Sequence, residues 1–188
     1  MDETFDAEQQ RVQLHLAVKA ATPTPRFAAR APRQPRLVIR DGWRRDLESA
    51  TCEVFEIMLG TLLTNAIEQC PQLQADFTAM VGLAGSLCGV LGLRASAESA
   101  RRMAAKMLGG DEAGLNENVQ DAFGEVCNMI AGSFKARIAD LADGCALSVP
   151  TVISGKDYSL HSLANGERFE VVFSFEDNLF SVTLDLHS

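Results

Sequence analysis

The chain lacks every short signature of small-molecule chemistry: it has no glycine-rich phosphate loop, no nucleophile elbow and no HExxH helix. Its three histidines, His15, His161 and His187, stand isolated with no ligand spacing to gather them. The five cysteines, Cys52, Cys70, Cys88, Cys127 and Cys145, are odd in number, far apart and free of any CxxC pair, which favours reduced thiols over a zinc site. Neither a bound metal nor a zinc hydrolase is therefore expected. Long apolar runs are also missing. Glu, Asn or Gly interrupts each apolar segment before it reaches the roughly 20 residues a bilayer-spanning helix needs, and no apolar run follows a basic cluster at the start. A cytoplasmic protein with no transmembrane segment is expected. Finally, the body of the chain has little positive charge. Residues 1–46 carry nine Lys or Arg against six Asp or Glu, and the remainder carries eight against nineteen, for a net charge of −8. So acidic a body should repel nucleic acid.

What is present suffices for one folded domain and a tail: 188 residues, 47% of them hydrophobic. Within the first 46 residues, "DAEQQRVQLHLAVKAA" is compatible with a short helix. The following "TPTPRFAARAPRQPR" has four prolines and no fixed period, which reads as a flexible basic linker. "RLVIRDGW" could dock as an extended segment anchored by Trp43. The expected organisation is thus a basic, proline-rich, largely disordered extension over 1–46 and a folded domain over 47–188.

From residue 47 a helical period sets in, with Val54, Phe55, Met58, Leu62 and Ile67 on one face up to Pro71. "DFTAMVGLAGSLCGVLGLRAS" reads as two buried strands turning at Ala84–Ser86, with Gly82, Gly89 and Gly92 letting a helix pack close. A second helix, "AESARRMAAKMLGG", has Ser96 as its cap, Glu98 in its first turn, Lys106 in its last, and two glycines to end it. "NENVQDAFGEVCNMIAGSFKARIADLADG" gives a third helix from Asn116 or Asn118 to Gly144, roughly 40 Å long at about 1.5 Å per residue. The end of the chain alternates: Phe169, Val171, Phe173 and Phe175, then Phe180, Val182, Leu184 and Leu186, about a turn at Asp177-Asn178. This order predicts an α+β fold, an antiparallel sheet with long helices packed on one face.

The third helix carries an unusual polar face. At about 100° per residue, with Val126 at zero, Val119, Phe123, Ile130, Phe134 and Leu141 fall between roughly 0° and 80°. Asn128, Asp121, Gly132 and Glu125 fall between roughly 200° and 260°, away from that stripe. Glycine in an exposed helix loses about 1 kcal/mol against alanine, so Gly132 calls for a reason other than helix stability, and Gly124 adds to the same cost. A side-chain-free spot one turn beyond Asn128 would admit a partner's backbone or loop. The spacing alone carries no weight, because thirteen Glu and six Asn in 188 residues supply such a pair by chance. Its setting does.

"EVCNMIAGSFKARI" resembles the ExxN-x3-G helix of the CheX family of chemotaxis phosphatases. "ATCEVFEIMLG" resembles that family's first helix, and the strand pair followed by "ARRMAAKMLG" resembles its next section. The resemblance covers about residues 47–188 and implies an α+β domain related to CheC and the flagellar FliY. It further implies hydrolysis of the aspartyl phosphate on a CheY-like receiver domain, in chemotaxis or related two-component signalling. Glu125 would then contact the receiver's lysine and Asn128 would insert beside the acyl phosphate, with Gly132 and Asp121 on the partner-binding face. The Mg2+ would be supplied by the receiver, with no cofactor of the chain's own. Glu53 and Glu56 of the first helix lack an Asn three residues on, so one site per chain is implied, as in CheX and unlike CheC. The family's homodimers, formed through the sheet, make a dimer possible here. The competing expectation is a non-catalytic module that binds a response regulator or a flagellar-switch-like assembly through the same helix.

Overall fold

The computed structural model describes residues 42–65, 73–110, 118–156, 158–161 and 165–187. The first helix, α1 (Trp43–Leu59), begins four residues ahead of the expected boundary at 47. Trp43 is its first residue rather than part of an extended strap, and its ring packs against Phe134 and Phe169 at centroid distances of 6.3 and 6.5 Å. The basic extension up to residue 41 lies outside the described residues.

α1 is shorter than its apolar period suggested. Gly60 adopts a left-handed conformation (φ 60°, ψ 29°), and the amides of Gly60 and Thr61 both donate to the Phe55 carbonyl, closing the helix there. Leu62 is consequently 79% exposed and Met58 42% exposed, so neither belongs to the core. Ile67 and Pro71 lie outside the described residues.

Seven strands form one antiparallel sheet. They are β1 (Thr64–Asn65), β2 (Phe77–Gly85), β3 (Gly89–Ala95), β4 (Cys145–Leu147), β5 (Thr151–Ser154), β6 (Arg168–Phe175) and β7 (Asn178–Leu186), in the order β1-β6-β7-β3-β2-β4, with β5 also pairing β2. β2 and β3 are the expected strand pair. Their glycines, however, serve the neighbouring strands and not a helix. A Cβ on Gly92 would stand 2.7 Å from Thr183 Oγ1 of β7, one on Gly89 2.5 Å from the Asp185 carbonyl oxygen, and one on Gly82 3.3 Å from Ser148 Oγ. The β6–β7 hairpin turns at Glu176-Asp177, both with positive φ (47° and 65°), one residue earlier than expected, because Asn178 already pairs with Phe175. The alternation along both strands holds: Val171, Phe173, Phe175, Phe180, Val182, Leu184 and Leu186 are all buried on one face.

Helices cover that face. α2 (Ala97–Leu108) has the expected cap, with the Ser99 amide donating to Ser96 Oγ at 3.2 Å, and the Ala97 amide donates to Asp76 Oδ2 at 2.9 Å. The third helix is two pieces. α3 (Val119–Arg137) ends where Ile138 turns extended (φ −106°, ψ 105°), and a short α4 (Ala139–Ala142) follows, so α3 spans 19 residues and about 28 Å rather than 40. Ile138 and Leu141 are 7% and 3% exposed; burying both apolar side chains explains the turn of the chain there. The core between helices and sheet is rich in phenylalanine: Phe55 stacks on Phe180 at 4.8 Å, and Phe180 stacks on Phe173 at 5.3 Å.

α1 and α3 run antiparallel. Phe55, late in α1, sits against Phe175 and Phe180 at the hairpin end of the sheet, and Phe123, early in α3, sits against Phe77 at the same end. Trp43, at the start of α1, meets Phe134, late in α3. Their surface contact is polar. Glu53 Oε2 accepts from Ser133 Oγ at 2.6 Å and from Arg137 at 2.7 Å, and Arg137 also donates to the Ser49 carbonyl.

Candidate active site

α3 buries Val119, Ala122, Phe123, Val126, Cys127, Ile130, Ala131 and Phe134 against the sheet and α1, which turns its opposite face outward. On that outward face Glu125 is exposed and Asn128, one turn on, is half-buried. Asn128 Nδ2 donates to Glu125 Oε2 at 3.3 Å. The bond turns the amide nitrogen toward the carboxylate and leaves the carboxamide oxygen and the second N–H free to act outward. Asp121 is exposed in the first turn of the helix, where a carboxylate suits the positive end of the dipole.

The two glycines of this helix have different reasons. Gly124 is buried, and a Cβ there would lie 3.0 Å from Val152 Cγ2 and 3.4 Å from Pro150 Cβ, so it is needed for β5 to approach the helix. It does not belong to the exposed face to which the sequence assigned it. A Cβ on Gly132 would meet nothing within 4 Å, so no contact inside the chain requires a glycine there.

Among the described residues no group of three or more His, Cys, Asp or Glu could hold a metal ion, and no helix is long and apolar enough to cross a membrane. The described cysteines are free. Cys127 is fully buried beneath the helix, and burial pushes its thiol up to about 12, which makes it an inert packing residue.

Comparison with known proteins now decides the family. The family model for the chemotaxis phosphatase CheX matches residues 77–174. The chain belongs to the CheX family. The CheY-P phosphatase CheX of Thermotoga maritima is 33% identical over 110 residues, covering 57% of this chain and 67% of that protein. Among solved structures, the chemotaxis protein CheX of Desulfovibrio desulfuricans has a TM-score of 0.67 at 23% identity, covering 77% of this chain and 99% of that one. The CheX-CheY-BeF3-Mg complex of Borrelia burgdorferi gives 0.63 at 25% identity, covering 78% and 98%.

Within this CheX fold, Glu53 of α1 stands in a stretch whose pattern parallels that around Glu125: "ATCEVFEIMLG" against "AFGEVCNMIAG". The structure gives Glu53 a different employment. Hydrogen bonds from Ser133 and Arg137, and the Arg137 charge, hold its carboxyl below the usual carboxylate range. It ties α1 to α3, and Glu56 takes the place three residues on where α3 has Asn128. Sequence reasoning missed this tie and also two exposed apolar side chains, Ile57 and Val149. For Ile57 a signal existed: in the helical period it falls outside the Val54–Phe55 stripe.

Proposed function

We propose that the chain hydrolyses the aspartyl phosphate of a CheY-type receiver domain, with Asn128 as the catalytic group and Glu125 as the docking carboxylate. The observation that carries this reading is the Glu125–Asn128 pair, 3.3 Å apart on the outward face of a rigid helix. Hydrolysis of an acyl phosphate requires a water in line with the leaving carboxylate; its oxygen bonds to phosphorus as the bond to the carboxylate breaks, giving free Asp and inorganic phosphate. A carboxamide both donates and accepts, so Asn128 can orient that water without carrying charge. A carboxylate in its place would repel the phosphoryl oxygens. Glu125 supplies a charge-assisted contact to the receiver's ammonium group and fixes the approach of the two proteins. Mg2+ on the receiver neutralises phosphoryl charge.

Gly132 and Asp121 complete the contact face, the first by leaving room and the second at its rim. The cytoplasm, where such receivers work, is the setting. Pairing through the sheet into a homodimer accompanies this reading; a monomeric mass in light scattering at working concentration would rule that out. The test of the main reading is release of phosphate from a phosphorylated receiver. Asn128→Ala should lose turnover with binding largely kept, and Glu125→Ala should weaken the complex first. Equal turnover by Asn128→Ala and wild type would leave only a docking module.

A further inference from the structure

Two flanks of the outward α3 face end in exposed apolar side chains. On the helical wheel Ser133 lies at about 340° and Gly124 at about 160°, with Asn128, Gly132 and Glu125 between them at roughly 200° to 260°. The Ser133 side is the α1 side, because Ser133 donates to Glu53. Since the helices are antiparallel, one turn on from Glu53 faces one turn back from Ser133, which sets Ile57 beside Met129 and the end of α1 beside Glu125. Ile57 is 70% exposed, Met58 42%, and Leu62, just past the Gly60 cap, 79%. The Gly124 side is covered by the segment leading into β5: Pro150 Cβ would lie 3.4 Å from a Cβ on Gly124, and Val149 before it is 83% exposed. Two of the large hydrophobic side chains exposed among the described residues, Ile57 and Val149, therefore flank the face that carries the Glu125–Asn128 pair.

We infer that Ile57 on one side and Val149 with Pro150 on the other form the apolar rim that docks the receiver domain. The inference rests on the phosphatase reading. Its physical ground is electrostatic. The face between the flanks carries Asp121 and Glu125, Glu56 is exposed on α1, and the chain as a whole is at −8. A receiver's phosphorylation pocket is itself anionic, so the long-range field does not draw the two proteins together, and a single Glu–Lys contact gives orientation more than affinity. Burial of apolar surface is unaffected by sign of charge, and interface affinity concentrates in a few desolvated anchors surrounded by weaker contacts. Ile57 and Val149 are positioned as such anchors, one on each side of the catalytic amide. They are positioning residues: neither reaches the reacting atoms.

The experiment is binding and turnover with one CheY receiver, held active by beryllofluoride and Mg2+ for binding and phosphorylated for turnover. Ile57→Ser and Val149→Ser should each raise Kd and KM roughly tenfold, leave kcat at saturating receiver unchanged, and leave the melting temperature within a degree or two, since both side chains are exposed. Ile57→Leu should restore affinity. Asn128→Ala shows the reverse split, with kcat lost and Kd kept. If wild type binds and turns over the receiver and both serine variants keep its Kd and KM, the rim is overturned while the phosphatase reading stands. If wild type neither binds nor dephosphorylates the receiver, both fall together.

Discussion

Replacing Gly132 by alanine should raise stability, replacing Gly124 should leave it unchanged or lower it, and only one of the two should harm docking. Each replacement improves helix propensity by up to about 1 kcal/mol. At Gly132 nothing opposes that gain, because an added Cβ meets no atom within 4 Å. For a domain of roughly 150 residues this raises Tm by about 2–4 °C. At Gly124 the new methyl would press on Val152 Cγ2 at 3.0 Å and Pro150 Cβ at 3.4 Å. Overpacking of this kind costs typically about 1–3 kcal/mol, so Gly124→Ala should come out neutral to destabilised by about 2 kcal/mol. Function should sort the other way. A methyl at 132 occupies the space offered to the receiver's backbone, and a loss of about 1.4 kcal/mol of docking, a tenfold fall in kcat/KM, is the expected scale. Thermal melts and phosphate release on the same two preparations read both effects. A Gly132→Ala protein less stable than wild type would refute the claim of open space. One that is more stable and fully active would refute the claim that the glycine is there for a partner.

Thiol mapping by alkylation and mass spectrometry at pH 8 should label exposed Cys88 quickly and Cys127 only after unfolding, because burial holds the Cys127 thiol at about 12; equal rates would contradict the packing. The Glu53 carboxyl, held low in the folded chain by Ser133 and Arg137, contributes stability that is present above its unfolded value of 4.5 and lost as pH falls through the lower folded value. Glu53→Gln should flatten the acid limb of a Tm-against-pH curve, and an unchanged curve would deny the helix tie. Phe55→Ala, which removes the ring stacked on Phe180, should cost about 3–5 kcal/mol in chemical denaturation. Ser96→Ala should cost only about 1 kcal/mol, through the lost cap on the Ser99 amide.

Periodicity and caps carried most of the fold. Alternation along 169–186 placed seven inward side chains, and Ser96 with Gly109 bounded α2, because these signals are local. What depended on contacts far along the chain was misread. The length of the third helix was one such feature: nothing in the residues near Ile138 announces that it must turn inward to bury itself beside Leu141. The end of α1 was another, since Met58 and Leu62 continue an apolar period that Gly60 cuts off. Gly124 and Gly132 look alike in sequence, and only the position of Val152, 28 residues from Gly124, separates a packing glycine from an open one. At the site, helical geometry alone brought Glu125 and Asn128 to one face. Its flanks, by contrast, are drawn from Ile57 and from residues 149–150, and no local pattern joins those segments.

The central claim is that the Asn128 carboxamide orients the attacking water. The direct measurement is single-turnover loss of phosphate from phosphorylated receiver held by a saturating excess of this chain, comparing wild type with Asn128→Ala and the near-isosteric Asn128→Asp. Removing a positioned polar group of this kind typically costs on the order of 10²–10³ in rate; both variants should show that loss, Asn128→Ala while still binding the beryllofluoride-activated receiver and Asn128→Asp with weaker binding as well, because its carboxylate repels the phosphoryl oxygens. Wild-type rates from either one would contradict the account.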